Sequence, residues 1–258
     1  MSGDEKVVAE WIALTGGDGP EGWLALPAGR EPRGAVVVTG EMFGVTGHLK
    51  DVCARLAEAG YAALAPDVYW RQGRRTGLDA DEAGRARGRE LMTALRRDEA
   101  LADLAAARTA ALRHAGTGGV AALGFSLGGH LAVLAATGLR FDLVVSYYGG
   151  WLLDGGLPVA EPVAPVGYAD GIAANTGFLL GFFGADDFVM PIDEWQRVGR
   201  RLAEAGAAYE QVTYQGVGHG FFCDERPATY DAEAAADAWG RTLAALERYV
   251  DPAGRQAP

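Results

Sequence analysis

The sequence predicts an α/β fold, a mostly parallel central sheet with helices on both faces. Short runs such as Gly34-Ala35-Val36-Val37-Val38-Thr39 and Tyr61-Ala62-Ala63-Leu64-Ala65 are apolar throughout, as strands covered on both sides require. Ala/Leu-rich stretches of helical period separate them, and strands alternating with helices build parallel sheets. With 258 residues, 49% of them hydrophobic, the chain can fill one large core, so residues 1–258 are expected to form one domain.

Taken in order, Val7–Leu14 and Gly22–Ala28 alternate around Gly16-Gly17-Asp18-Gly19-Pro20, which predicts an N-terminal hairpin over about 7–28. A strand over 34–39 precedes a helix over His48–Ala59 that stops at Gly60. The strand over 61–65 closes at Pro66-Asp67. Asp79–His114, charged and Ala-rich, reads as one or two outer helices. Gly119–Leu123 is a strand, His130–Thr137 a helix ending at Gly138, and Phe141–Tyr148 a strand. The Gly- and Pro-rich stretch 149–177 reads as a loop. Phe178–Phe183 is a strand, Ile192–Ala205 a helix, Ala208–Tyr214 a strand and Tyr230–Val250 the closing helix.

Composition excludes several functions. A net charge of −11 argues against nucleic acid, which needs a basic face. The basic residues between Arg71 and Arg97 alternate with acids, as on solvated helices. No apolar run reaches membrane-spanning length, and Met1–Glu10 is acidic without an apolar segment, so a cytoplasmic location is expected. Cys53 and Cys223 make no disulfide framework, and Cys53 reads as a small buried residue of a helix. His48, His114 and His130 show no paired ligand spacing, so neither metal nor cofactor is expected. The chemistry falls to side chains.

Gly124-Phe125-Ser126-Leu127-Gly128-Gly129 is a G-x-S-x-G pattern between a predicted strand and helix. In that setting the serine occupies a sharp turn that projects its hydroxyl outward, above the positive end of a helix. A serine hydroxyl needs a base to become a nucleophile. His219, in the glycine-rich Gly216–Phe222 after a strand, is the histidine placed to serve; the others fall in or beside helices. Asp186 or Asp187, after the strand ending at Phe183, is the acid that would orient it, and the other would be a turn or cap residue. The chain order Ser126, Asp187, His219 matches that of α/β-hydrolases.

Several further motifs resemble the dienelactone hydrolases, α/β-hydrolase-fold enzymes that open unsaturated lactones. Glu41-Met42-Phe43-Gly44 resembles the family's Glu-x-Phe-Gly, Pro66-Asp67-Val68-Tyr69-Trp70-Arg71 its Pro-Asp-Leu-Tyr-x-Arg, and Tyr147-Tyr148-Gly149 its Tyr-Tyr-Gly. Gly218-His219-Gly220-Phe221 matches the histidine loop, and Gly-x-x-Asp falls on Gly184 and Asp187, which selects Asp187 as the acid. The resemblance runs from about Gly34 to the last helix. It implies that Glu41 contacts the resting nucleophile as an auxiliary acid or hydrogen-bond partner, and that Arg71 holds a substrate carboxylate. The backbone N–H groups of Met42 and Leu127 are the expected oxyanion hole.

Two departures stand out. The family's usual nucleophile is cysteine, and Ser126 stands in its place, which puts more of the activation on His219. A second family arginine falls near Cys223, and Arg226 is the nearby substitute. Trp70, Tyr148 and Trp151 are candidate walls of an apolar pocket. The expected partner is a small ester or lactone, acted on by a monomer or homodimer. Acyl transfer or cyclisation at the same site is the alternative, and a non-catalytic binding protein the reading from another class.

Overall fold

The computed structural model describes residues 6–254; the first part of the acidic stretch Met1–Glu10 lies outside them. Eight strands form one sheet: β1 (Val7–Ala13), β2 (Glu21–Pro27), β3 (Ala35–Thr39), β4 (Ala62–Pro66), β5 (Val120–Phe125), β6 (Phe141–Tyr147), β7 (Thr176–Gly184) and β8 (Tyr209–Tyr214). Their spatial order is β1-β2-β4-β3-β5-β6-β7-β8. β1 and β2 pair antiparallel, as do β2 and β4, and all other pairs are parallel.

β3 explains why its sequence is apolar throughout. Ala35 and Val37 join one core with inward side chains of α3 (Arg97–Leu112), α4 (Leu127–Ala136) and α6 (Ile192–Glu204). Val36 and Val38 join the opposite core with α1 (Gly47–Glu58) and α7 (Ala232–Tyr249). Successive strand residues point to opposite faces, so a strand buried on both has no polar position to offer. α1 shows the helical counterpart: Leu49, Val52, Cys53 and Leu56 are buried at the spacing of one face, and the Thr46 side chain caps the Leu49 N–H at 3.3 Å.

The stretch 79–114, read as one or two helices, is two, α2 (Glu82–Ala94) and α3, because Leu95 turns extended (ψ 135°) and buries its side chain. Two segments differ from the sequence reading. The loop expected over 149–177 contains the short helix α5 (Ala169–Asn175) and two single 3₁₀ turns, and β7 begins at Thr176. Leu152, Val159, Val166 and Ile172 anchor that segment in the core. Finally, α4 starts at Leu127, immediately after Ser126, and all of its residues are buried.

Candidate active site

β5 delivers the chain to Ser126, the N-cap of α4, at φ 53° and ψ −114°. A side chain in that left-handed region is strained, and it is held there by its surroundings. The Ser126 N–H donates to the Tyr147 carbonyl at 3.0 Å, and the Ser126 carbonyl accepts from the His130 N–H at 3.1 Å. The flanking glycines serve close approach: a Cβ on Gly124 would strike the Gly128 carbonyl, and one on Gly128 would strike the Thr39 carbonyl. Thr39 Oγ1, 2.8 Å from the Gly128 carbonyl oxygen, ties the end of β3 to the same turn. Backbone crowding therefore fixes where the hydroxyl points.

His219 and Asp187 come to meet it from the ends of β8 and β7. His219 Nε2 lies 2.8 Å from Ser126 Oγ, and His219 Nδ1 lies 2.8 Å from Asp187 Oδ2. An ionised carboxylate only accepts, so Nδ1 carries the proton and Nε2 is left to accept from the serine. The other Asp187 oxygen accepts from the N–H groups of Val189 (2.7 Å) and Met190 (3.3 Å), and the Asp187 side chain is fully buried. Asp186 is exposed, with its own N–H on the Val217 carbonyl. The imidazole is flanked edge-to-face by the buried Tyr148 ring at 5.1 Å and the exposed Phe188 ring at 5.6 Å.

Leu127 is the first residue of α4, so its N–H has no acceptor within the helix and faces the nucleophile's turn. The Met42 peptide is held by the fully buried Tyr69, whose hydroxyl donates to the Met42 carbonyl at 3.2 Å. Asp67 shapes the turn that carries Tyr69, accepting from the Tyr69 N–H at 3.1 Å and the Arg75 N–H at 2.5 Å. Burial raises the Asp67 pKa, and these backbone donors work against that rise. Tyr69 and Asp67 are supporting residues that spacing alone did not single out, although both lie inside the Pro-Asp-Val-Tyr segment.

The two charged candidates are placed differently from expectation. Glu41 does not bond to Ser126; its Oε1 accepts from Arg226 Nη2 at 2.5 Å and from the Tyr148 hydroxyl at 3.1 Å. A guanidinium with little access to water outcompetes a hydroxyl that already has its own base. Burial opposes the Arg226 charge, but Glu41, Cys223 and Tyr148 together raise its pKa. Burial, reinforced by Glu41, raises the Tyr148 phenol well above its ordinary value.

Arg71 also has partners of its own. Its guanidinium makes a two-point contact with Asp103 on α3 (2.5 and 3.2 Å) and lies over the Trp70 ring at 4.4 Å, while the Trp70 indole N–H donates to the same carboxylate at 3.0 Å. Trp70 and Arg71 are thus bound to a helix. Glu41, Arg226 and Cys223, with Phe43, Val45 and Phe125, border a cavity of 510 Å³ that neither Arg71 nor Ser126 lines. Trp151, half-buried at φ 55°, packs beside Gly156.

A mostly parallel sheet whose strand ends present a serine on a strand-to-helix turn, an imidazole and a buried carboxylate defines an α/β-hydrolase. The model of the dienelactone hydrolase family matches residues 21–250, and the chain belongs to that family. A relative from Synechocystis sp. named "Putative carboxymethylenebutenolidase" is 36% identical over 220 residues, covering 84% of this chain and 87% of its own. The carboxymethylenebutenolidase of Rhodococcus opacus is 32% identical over 219 residues, covering 83% and 81%. The crystal structure titled "Putative Dienelactone Hydrolase" from Klebsiella pneumoniae superposes with a TM-score of 0.82 at 32% identity, over 94% of this chain and 99% of that one. No helix among the described residues is long and apolar enough to cross a membrane.

Proposed function

We propose that this hydrolase of lactone or carboxylic ester bonds works through Ser126, His219 and Asp187 by way of an acyl-enzyme. The observation that carries the reading is the pair of 2.8 Å hydrogen bonds joining the serine hydroxyl to the imidazole and the imidazole to a buried carboxylate. Ser126 Oγ attacks the carbonyl carbon while its proton passes to His219 Nε2, and Asp187 holds the imidazolium that forms. The tetrahedral oxyanion sits against the N–H groups of Met42 and Leu127. His219 returns the proton to the leaving oxygen as the C–O bond breaks. A water molecule, deprotonated by the same Nε2, then attacks the acyl carbonyl and frees Ser126.

The names of these relatives, "Putative carboxymethylenebutenolidase" and "Carboxymethylenebutenolidase", denote a butenolide, an unsaturated lactone, which supports a lactone or ester as the substrate class here. Arg71 and Arg226 are each paired with a carboxylate, Asp103 and Glu41; of the two, Arg226 borders the cavity, so recognition of a substrate carboxylate falls to Arg226 in this reading.

Ser126→Ala tests the reading. Turnover of a small ester should fall by roughly 10⁴-fold or more with the thermal transition unchanged, because removing the nucleophile leaves only binding and oxyanion stabilisation. A fluorophosphonate probe should label the wild type and leave this variant unlabelled. Near-normal turnover by Ser126→Ala would overturn the assignment.

A further inference from the structure

Phe188 is 82% exposed, whereas the next most exposed large apolar side chain among the described residues, Val8, is at 53%. Its exposure has a local cause. Asp187 Oδ1 accepts the N–H groups of Val189 and Met190, so the turn that fixes the acid also fixes the residue between that acid and its donors. Met190 is buried on the inner side of this turn, and Phe188 is left facing out. There it meets His219 edge-to-face at 5.6 Å, while the wholly buried Tyr148 meets the same imidazole at 5.1 Å. An aromatic ring kept in water loses what burial would give it, and one in water beside the imidazole is a ready contact surface.

We infer that Phe188 selects the substrate's leaving group, favouring apolar and above all aromatic alcohols or enols. The inference rests on the serine-hydrolase reading, in which His219 Nε2 hands its proton to the leaving oxygen. That oxygen must come within hydrogen-bond distance of Nε2, so the carbon it carries lies along the imidazole's outer edge. Phe188 is the exposed ring in contact with that imidazole. A flat apolar leaving group covers the ring and is covered by it, while a methoxy group is too small to do so.

The test uses two esters with one acyl group, phenyl acetate and methyl acetate, and two variants of the full chain, Phe188→Ala and Phe188→Leu. For Phe188→Ala, kcat/KM on phenyl acetate should fall about tenfold, the low end of what an apolar contact contributes to discrimination, with methyl acetate within about twofold. Phe188→Leu should recover much of the loss. The pH profile of kcat/KM on methyl acetate should not move, because the His219 contacts to Ser126 and Asp187 are untouched. Equal losses on both esters would make Phe188 a support for His219, and no change on either would make it an idle surface residue; each overturns the inference. So would failure of the wild type to turn over phenyl acetate. Fluorophosphonate labelling of both variants separates the two proposals: labelling at Ser126 with no change in ester preference sinks the leaving-group role alone, whereas an active Ser126→Ala sinks the reading beneath it.

Discussion

The two sides of the site handle charge differently. Where β5, β7 and the loop after β8 converge, polar groups line up: Ser126 on His219, His219 on Asp187. Where the loops after β3 and β4 converge, charges close on one another: Glu41 with Arg226, Arg71 with Asp103, Arg75 with Glu21. A carboxylate on an imidazole leaves a proton free to move, but a carboxylate on a guanidinium is neutralised in place. What a charged residue at a strand end does is decided by its partner, and the partner comes from elsewhere in the chain.

The sharpest way to break that contrast is Arg226→Ala. Glu41 and Arg226 are both nearly buried, with side-chain exposures of 13% and 15%, so removing the cation strands the carboxylate. Breaking such a pair costs about 3–5 kcal/mol, and the lower end is expected here because Tyr148 and the adjoining cavity still solvate Glu41. Urea unfolding should show this loss, and adding Glu41→Gln should recover much of it. If the double variant is no more stable than the single one, the pair is not what holds this side together.

The aligned side is legible in the sequence because glycines punctuate each strand end. Gly124 and Gly128 frame Ser126, Gly184 precedes Asp187, and Gly218 and Gly220 frame His219; at Gly184 a Cβ would meet the Val217 carbonyl. Chain order then supplies the roles. The paired side is not legible in this way, because Glu41 and Arg226 meet across 185 positions and only the fold joins them. Arg71 looks like a free cation in its own segment. The signal against that was on α3, where Asp103 interrupts the buried series Ala100, Leu104, Ala107 and Ala111. An acid within the apolar stripe of a helix needs a cation, and Arg71 supplies it.

His130 sharpens the contrast from beneath the aligned side. It lies one turn after Ser126 and is wholly buried, with Nδ1 3.1 Å from the Gly150 carbonyl and no carboxylate partner among the described residues. Burial lowers its pKa from 6.5 to about 4. The unfolded chain therefore binds this proton more readily between those values, so the stability present above pH 6.5 is lost as pH falls. The loss amounts to about 3 kcal/mol by pH 4. Unfolding of wild type and His130→Leu should diverge in slope over that window, with the variant flatter. Parallel slopes would mean that His130 takes up its proton in the folded state.

The smallest effect belongs to Asp103→Ala, and it bears most directly on Arg71. Asp103 is the shared acceptor of the Trp70 indole and both Arg71 terminal nitrogens, and its side chain is 6% exposed while that of Arg71 is 30% exposed. With Asp103 gone, Arg71 can turn to water and only the indole N–H is left wanting, so the expected cost is about 1–2 kcal/mol. If Arg71 only holds this loop against α3, Asp103→Ala and Arg71→Ala should lower the thermal midpoint alike. Neither should change the ratio of kcat/KM for a carboxylate-bearing ester to that for its neutral methyl ester by more than about twofold. If Arg71 serves the substrate, the variants must part: Arg71→Ala would penalise the anionic ester selectively, and Asp103→Ala, by freeing the guanidinium, would favour it.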